Sequence, residues 1–399
     1  MAHATATPAI ARPAPYDGVA VAVPVTVPYV RLSDDGAAAF VARALAGLLA
    51  DSGLPRQAVD GLALSSFTLA PDSVVTLTQQ LGLDMRWLEQ LPMGGASAVI
   101  ALRRAARAVQ AGDASVIACI GADTNGPASF RDTLAGFSRF ARDAVLPYAA
   151  GGPNASFALI TAAYMREYGA TREDFARLCI AQRANAALNP NALLRAPLTL
   201  EAYLAARPIA DPLCLYDCVM PCAGADAFLV MDAARARAAG LPHARILGAV
   251  ERFHAYGDDP LPLRGGWAAE RDTLYAMAGL GPADIDAVQS YDDYPVITLM
   301  QFEDLGFCAK GEGPDFLRRH DFSLGGDLPT NTGGGQLSAG QAGAAGGYLG
   351  LVEGLRQVLG QAGQRQLARA RHMLVSGFGL MNYDRGLCTS AAILAGAQA

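Results

Sequence analysis

With 399 residues, 52% of them hydrophobic and only 17% charged, the chain is too apolar to be disordered. It is long enough for one large α/β body or for two to three domains. A formal charge of −6 gives no basic field for nucleic acid, and no apolar run reaches the roughly 18 residues of a membrane span.

The first residues, "MAHATATPAIARPAP", lack the charged start and long apolar core of a secretory signal. "GVAVAVPVTV" is β-branched, but Pro24 and Pro28 limit it to an edge or an interrupted strand. "SDDGAAAFVARALAGLLADSG" predicts a helix with Ser33 or Asp34 as N-cap and Gly53 after its last turn. "VDGLALSSF" predicts a strand, "GGASAVIALRRAARAVQAG" a long helix, and "ASVIACIGAD" a strand buried on both faces. The stretch beginning "NASFALITAAYMREYG" is helical, and Thr171 caps a second helix. Near the end, "SAGQAGAAGGYLGLVEGLRQVLGQ" opens as a Gly/Ala helix, and "RHMLVSGFGL" and "CTSAAILA" predict strands.

Helix, buried strand and glycine-rich turn thus occur near 94–123 and again near 340–380. This is a weak duplication, far longer than a solenoid repeat. It divides the chain into an N-terminal half, 1–240, with an inserted loop region at about 124–240, and a C-terminal half, 241–399. The pocket is expected at the C-terminal ends of the repeated strands.

Seven cysteines, an odd and scattered set, fit a reducing cytoplasm better than a disulfide framework. Cys214, Cys218 and Cys222 in "CLYDCVMPC" invite a zinc reading, but no second pair or nearby histidine completes such a site, so no metal is expected. Cys119 falls in an apolar strand and reads as inert, and Cys308 in "GFCAKGEG" is a poor candidate nucleophile. "NTGGGQLSAG" carries no phosphate-loop lysine and follows no Walker pattern.

The blocks "NPNALLRAPLTLEAYLAARPIADPLCLYDC", "EDLGFCAKGEG", "LPTNTGGGQLSAGQ" and "VSGFG", in this order, resemble the thiolase superfamily over nearly the whole chain, with the sterol-carrier type as the most similar subgroup. The resemblance implies a homodimer on a five-layered α/β/α/β/α core of two pseudo-symmetric halves. It also locates what is missing. Met93 in "LPMGGASAVIAL" stands at the nucleophile position, and a thioether cannot form an acyl-enzyme. The oxyanion motif reads Tyr291-Asp292-Asp293-Tyr294, the Gly-His-Pro motif reads Gly340-Gln341-Ala342, and the Cys-x-Gly motif reads Val375-Ser376-Gly377.

Thiolysis is therefore not expected. A β-hydroxyacyl-CoA can instead be cleaved without a nucleophile: a base takes the β-hydroxyl proton, the Cα–Cβ bond breaks, and the thioester enolate is protonated. The chain resembles the thiolase-fold aldolases of steroid side-chain degradation, which lack the thiolase cysteines and use tyrosines. That resemblance implies Tyr291, Tyr294 and Tyr348 as catalytic, with Asp293 tuning one phenol, and Met93, Asn331 and Gln341 at the substrate. It implies no cofactor beyond the CoA of the substrate, and a small OB-fold zinc-ribbon partner. For Tyr294 and Tyr348 the competing reading is a packed core aromatic. A silent acyl-CoA-binding subunit and a thiolase-type acyltransferase are the alternative functions.

Overall fold

Residues 15–126, 152–382 and 385–396 are described by a computed structural model. The expectations for the first 14 residues, and for 127–151 of the inserted region, lie outside them. The chain begins with β1 (Val19–Val30), α1 (Ala37–Ser52), β2 (Gly61–Ser65), α2 (Val74–Gln80), β3 (Trp87–Gln90), α3 (Ser97–Ala111) and β4 (Val116–Asp123). Next come α4 (Pro153–Tyr168), α5 (Arg172–Ala187), α6 (Leu200–Leu204) and the small pair β5 (Pro208–Ala210) and β6 (Leu213–Cys214). They are followed by β7 (Ala223–Asp232), α7 (Ala233–Ala238), β8 (His243–Phe253), α8 (Gly266–Ala278) and β9 (Ala287–Gln289). The chain closes with α9 (Pro295–Asp304), α10 (Gly313–Arg319), α11 (Gly335–Ala339), α12 (Gly346–Val358), β10 (His372–Asn382) and β11 (Arg385–Gly396).

The large sheet has the order β3-β2-β4-β7-β1-β8-β11-β10-β9. Among the described residues its two parts meet where Val21 pairs with Ala244 and Ala22 with His243. β1 is interior rather than an edge, and it tolerates its prolines by interruption. The register slips between Ala22 and Val25, around Pro24, and again between Val27 and Val30, around Pro28, so neither proline owes a ladder donor.

Alternation along the strands builds the layers. Val116, Ala118 and Ile120 of β4 join the core under α1, while Ile117 and Cys119 face the core of α3 and α12. Likewise Ala392 and Leu394 of β11 face α3 and α12, while Ala391 and Ile393 face the core of α8 and α9. Helices, half-sheet, paired helices, half-sheet and helices therefore stack as five layers. A fully buried Ile or Leu contributes about 1.5–3 kcal/mol, so these double-sided strands hold the stack together.

α1 ends at Gly53 in the left-handed conformation, as its sequence predicts, but it starts from Gly36, later than Ser33 or Asp34. The Ser33 hydroxyl instead accepts from the Asp35 amide in a local turn. Thr171 and Asp174 form the reciprocal capping box that opens α5. Among the described residues no helix is long and apolar enough to cross a membrane.

Candidate active site

A cavity of about 430 Å³ opens where β2, β4, β9 and β10 end. Phe67 and Thr68 follow β2, Asp123 ends β4, Tyr291 to Tyr294 follow β9, and Phe378 lies on β10. Side chains at strand ends of an open α/β sheet converge on one crevice, and this is such a place.

The turn from β9 into α9 sorts its four residues by direction. Tyr291, Asp293 and Tyr294 line the cavity. Asp292 points the other way and accepts from the Gln336 amide at 2.9 Å and the Leu337 amide at 3.3 Å, anchoring the turn to α11. Burial pushes the Asp292 carboxyl up to about 7.

On the cavity side, Tyr291 donates its hydroxyl proton to Asp293 Oδ2 at 2.8 Å, and Gln341 Nε2 donates to Asp293 Oδ1 at 2.7 Å. The same Gln341 nitrogen lies 3.3 Å from the Tyr291 oxygen, closing a three-residue ring. Burial, aided by the neighbouring Asp292 charge, pushes Asp293 up to about 8 against the two hydrogen bonds that lower it. Burial and the Asp293 carboxylate hold the Tyr291 phenol well above its ordinary value, so it stays a proton donor.

The Tyr291 ring fits because residue 95 has no side chain. A Cβ on Gly95 would lie 1.8 Å from Tyr291 Cε2 and 2.5 Å from the Phe378 carbonyl oxygen. Gly94 and Gly95 border the cavity just before α3, so the phenol occupies the space beside the helix start where a thiolase nucleophile belongs. Tyr294 stacks on Phe157 with centroids 4.0 Å apart and donates its hydroxyl to Asn154 Oδ1, near the start of α4. Burial raises its pKa well above the ordinary phenol.

The remaining sequence candidates stand apart from this cluster. Tyr348 is fully buried in the central helix layer; its ring covers Gly121 and its hydroxyl lies 3.0 Å from Ser65 Oγ, and it does not reach the cavity. Helix α12 begins only at Gly346, which turns residue 348 toward β4 and Phe228. Met93 packs its side chain into the central core, and its carbonyl accepts from the Ala96 amide at 3.2 Å. Asn331 is buried below the turn, where its Nδ2 donates to Ser290 Oγ at 3.1 Å.

Two cavity residues carried no legible sequence signal. Asp123 accepts from Ser66 Oγ at 2.8 Å, the Thr68 amide at 2.7 Å and the Ala344 amide at 2.6 Å, tying the loop after β2 to the start of α12. Asn154 was visible only as part of a helical stretch. A polar residue three before a phenylalanine on a helix would have been the signal, and it is a weak one.

Cys218 and Cys222 line the cavity, and burial pushes both thiols up, Cys218 to about 12. Cys308 lies away from it and is pushed up to about 12. Cys119 is completely buried in β4 and also raised. None of these thiols is poised as a thiolate.

The thiolase C-terminal domain-like family matches residues 262–389. A steroid side-chain-cleaving aldolase of Thermomonospora curvata is 35% identical over 340 residues, 79% of this chain and 84% of that protein. A 17-hydroxy-3-oxo-4-pregnene-20-carboxyl-CoA lyase of Mycobacterium tuberculosis is 33% identical over 372 residues, 88% of this chain and 92% of that protein. Among solved structures, an Ltp2-ChsH2(DUF35) aldolase superposes with a TM-score of 0.78 at 30% identity, covering 96% of this chain and 98% of that one. The five layers, the replacement of the thiolase cysteines and histidines at Met93, Tyr291, Gln341 and Val375, and these likenesses lead to one conclusion: the chain belongs to the thiolase superfamily, among its thiolase-fold aldolases.

Proposed function

We propose that the chain cleaves a β-hydroxyacyl-CoA by retro-aldol reaction, releasing a ketone or aldehyde and a shortened acyl-CoA, and that its acyl group is a steroid side chain. The observation that carries the chemistry is the Tyr291–Asp293–Gln341 ring on the cavity wall. The steroid assignment rests on what the two relatives are named for, and the mainly apolar wall of the cavity supports it.

The β-hydroxyl proton passes to the Tyr291–Asp293 pair. A carboxyl group raised to about 8 is a stronger base, once ionised, than an ordinary aspartate, and lies nearer the operating pH where general bases work best. Tyr291 relays the proton: its oxygen receives the substrate proton as its own moves to Asp293 Oδ2. Gln341 fixes both partners and has no proton to lose, which replaces a thiolase histidine with a clamp. The Cα–Cβ electrons collapse into the thioester enolate as the β-carbon becomes a carbonyl. Tyr294, kept neutral, returns a proton to the enolate carbon, its ring held by Phe157 and its hydroxyl by Asn154.

The working assembly in this proposal is a homodimer with a small OB-fold zinc-ribbon subunit; the two-component name of the aldolase structure supports the presence of a second subunit. Tyr291→Phe and Tyr294→Phe test the assignment: each is expected to lower kcat about 10²–10⁴-fold, the range of one general acid or base, with the melting temperature kept. Unchanged kcat in both variants would remove the tyrosines from the reaction.

A further inference from the structure

Arg183, on α5, has its Nε donating to Ser338 Oγ at 3.0 Å and is only 6% exposed. Its terminal nitrogens have no hydrogen-bond partner among the described residues, and no carboxylate there reaches ion-pair distance. Those nitrogens are not sealed in protein, because the side chain lines the same cavity as Tyr291 and Asp293. The guanidinium lies over the Tyr216 ring, 5.6 Å from its centroid, which orients the plane without neutralising it.

A buried guanidinium whose terminal nitrogens have no partner among the described residues is costly to hold unless a ligand pairs with it. Arg31 and Arg207, the other cavity arginines without a side-chain partner among the described residues, are exposed and need no protein partner, because water solvates them. Arg183 is different. Its two free nitrogens form a planar fork suited to two oxygens of one anion. Leu194, Leu215 and Val219 around the cavity offer the rest of a ligand only apolar contact.

We propose that Arg183 is a specificity-determining residue that binds a carboxylate on the acyl body of the substrate, remote from the thioester, so that the preferred substrate is an acid as well as a thioester. The proposal rests on the acyl-thioester reading of this cavity, and it narrows the substrate to an apolar body with one anionic end.

The test uses acyl thioesters that lack the β-hydroxyl and so cannot be cleaved, made as a pair: a terminal carboxylic acid and its methyl ester. Each is attached to CoA and, separately, to pantetheine, and binding to the full chain with any co-purifying subunit is measured by calorimetry. The wild type is expected to bind the acid about 10–100-fold more tightly than the ester on either carrier, the range of a charge-assisted hydrogen-bonded pair. Arg183→Met is expected to erase that preference by weakening the acid alone. Arg183→Lys, which keeps the charge but loses the fork, should retain part of it; this variant serves if the methionine protein fails to fold. Equal binding of acid and ester by the wild type overturns the proposal. So does a loss in Arg183→Met that appears with CoA thioesters and vanishes with pantetheine, since the anion is then a phosphate of CoA. Binding is read without turnover, so failure of the cleavage assay and failure of this proposal are separate results.

Discussion

In the proposed reaction Asp293 is the base, and its environment makes a signed prediction. Its carboxylate must be ionised to accept a proton, and its pKa is raised to about 8, so kcat is expected to rise with pH through that value and then level. Asp293→Asn should lower kcat about 10²–10⁴-fold and remove that limb of the pH–rate profile. Persistence of the same limb in the variant would assign it to another group. Tyr348 predicts the opposite behaviour. Among the described residues its hydroxyl meets only Ser65, so Tyr348→Phe should cost about 1 kcal/mol of stability in a denaturant melt and leave kcat within a few-fold. At this scale the sequence singled out Tyr291, Asp293 and Gln341 from altered motif positions, and the fold brings these three side chains together. Whether a tyrosine faces a cavity or a core depends on where its helix starts, and the glycines around residue 346 hid that for Tyr348. Arg183 and Asp123 had no local pattern, because their partners are distant in sequence.

Among elements, the start of α3 and the turn after β9 form one unit: the Tyr291 ring lies against the peptide of Gly95. Gly95→Ala would place a methyl group inside that ring and against the immobile Phe378 carbonyl, so the ring must leave its hydrogen bond to Asp293. Loss of kcat by about 100-fold or more is expected, with the near-ultraviolet aromatic signal altered; an active, spectrally unchanged variant would contradict this seat for Tyr291. Several elements could be read from period and caps: β2, α3, β4, α5 and β10 lie where alternation, apolar runs or Thr171 put them. The start of α1 could not, because Gly36 and Ser33 compete on nearly equal local terms and the packing of Ala37 and Phe40 decides. The place of β1 in the middle of the sheet was also hidden. Its prolines allow an edge or an interrupted strand, and only the bulges at Val23 and after Val27 show that it is the second.

The whole molecule buries several carboxyl groups that are raised by desolvation: Asp226 and Asp304 to about 6, Asp292 to about 7 and Asp293 to about 8. A group whose folded pKa lies above its unfolded value of 3.8 contributes stability that is complete below about 4 and lost as pH rises through the folded pKa. The stability advantage of the wild type over Asp293→Asn should therefore shrink between about pH 4 and 8, by at most about 1.4 kcal/mol per pH unit. Denaturant melts of both proteins across that window check it; an advantage that grows with pH would show that Asp293 is held ionised in the fold. The two halves were legible from the helix, buried strand and glycine turn that occur twice, and the central pair α3 and α12 comes from those two repeats, whereas the five layers were legible only through the resemblance. The depth and lining of the cavity were not, because they arise where both half-sheets, α4 and α5 converge.

The central claim, bond cleavage without a nucleophile, is tested most directly by mass spectrometry of the products. The purified chain, with any co-purifying subunit, is given tertiary β-hydroxyacyl-CoAs bearing steroid side chains, with no free CoA present. The account predicts a ketone and a shortened acyl-CoA in equal amounts, lost together in Asp293→Asn. Intact substrate beside tight acyl-CoA binding, or turnover only after free CoA is added with an acyl group trapped on cysteine, would contradict it.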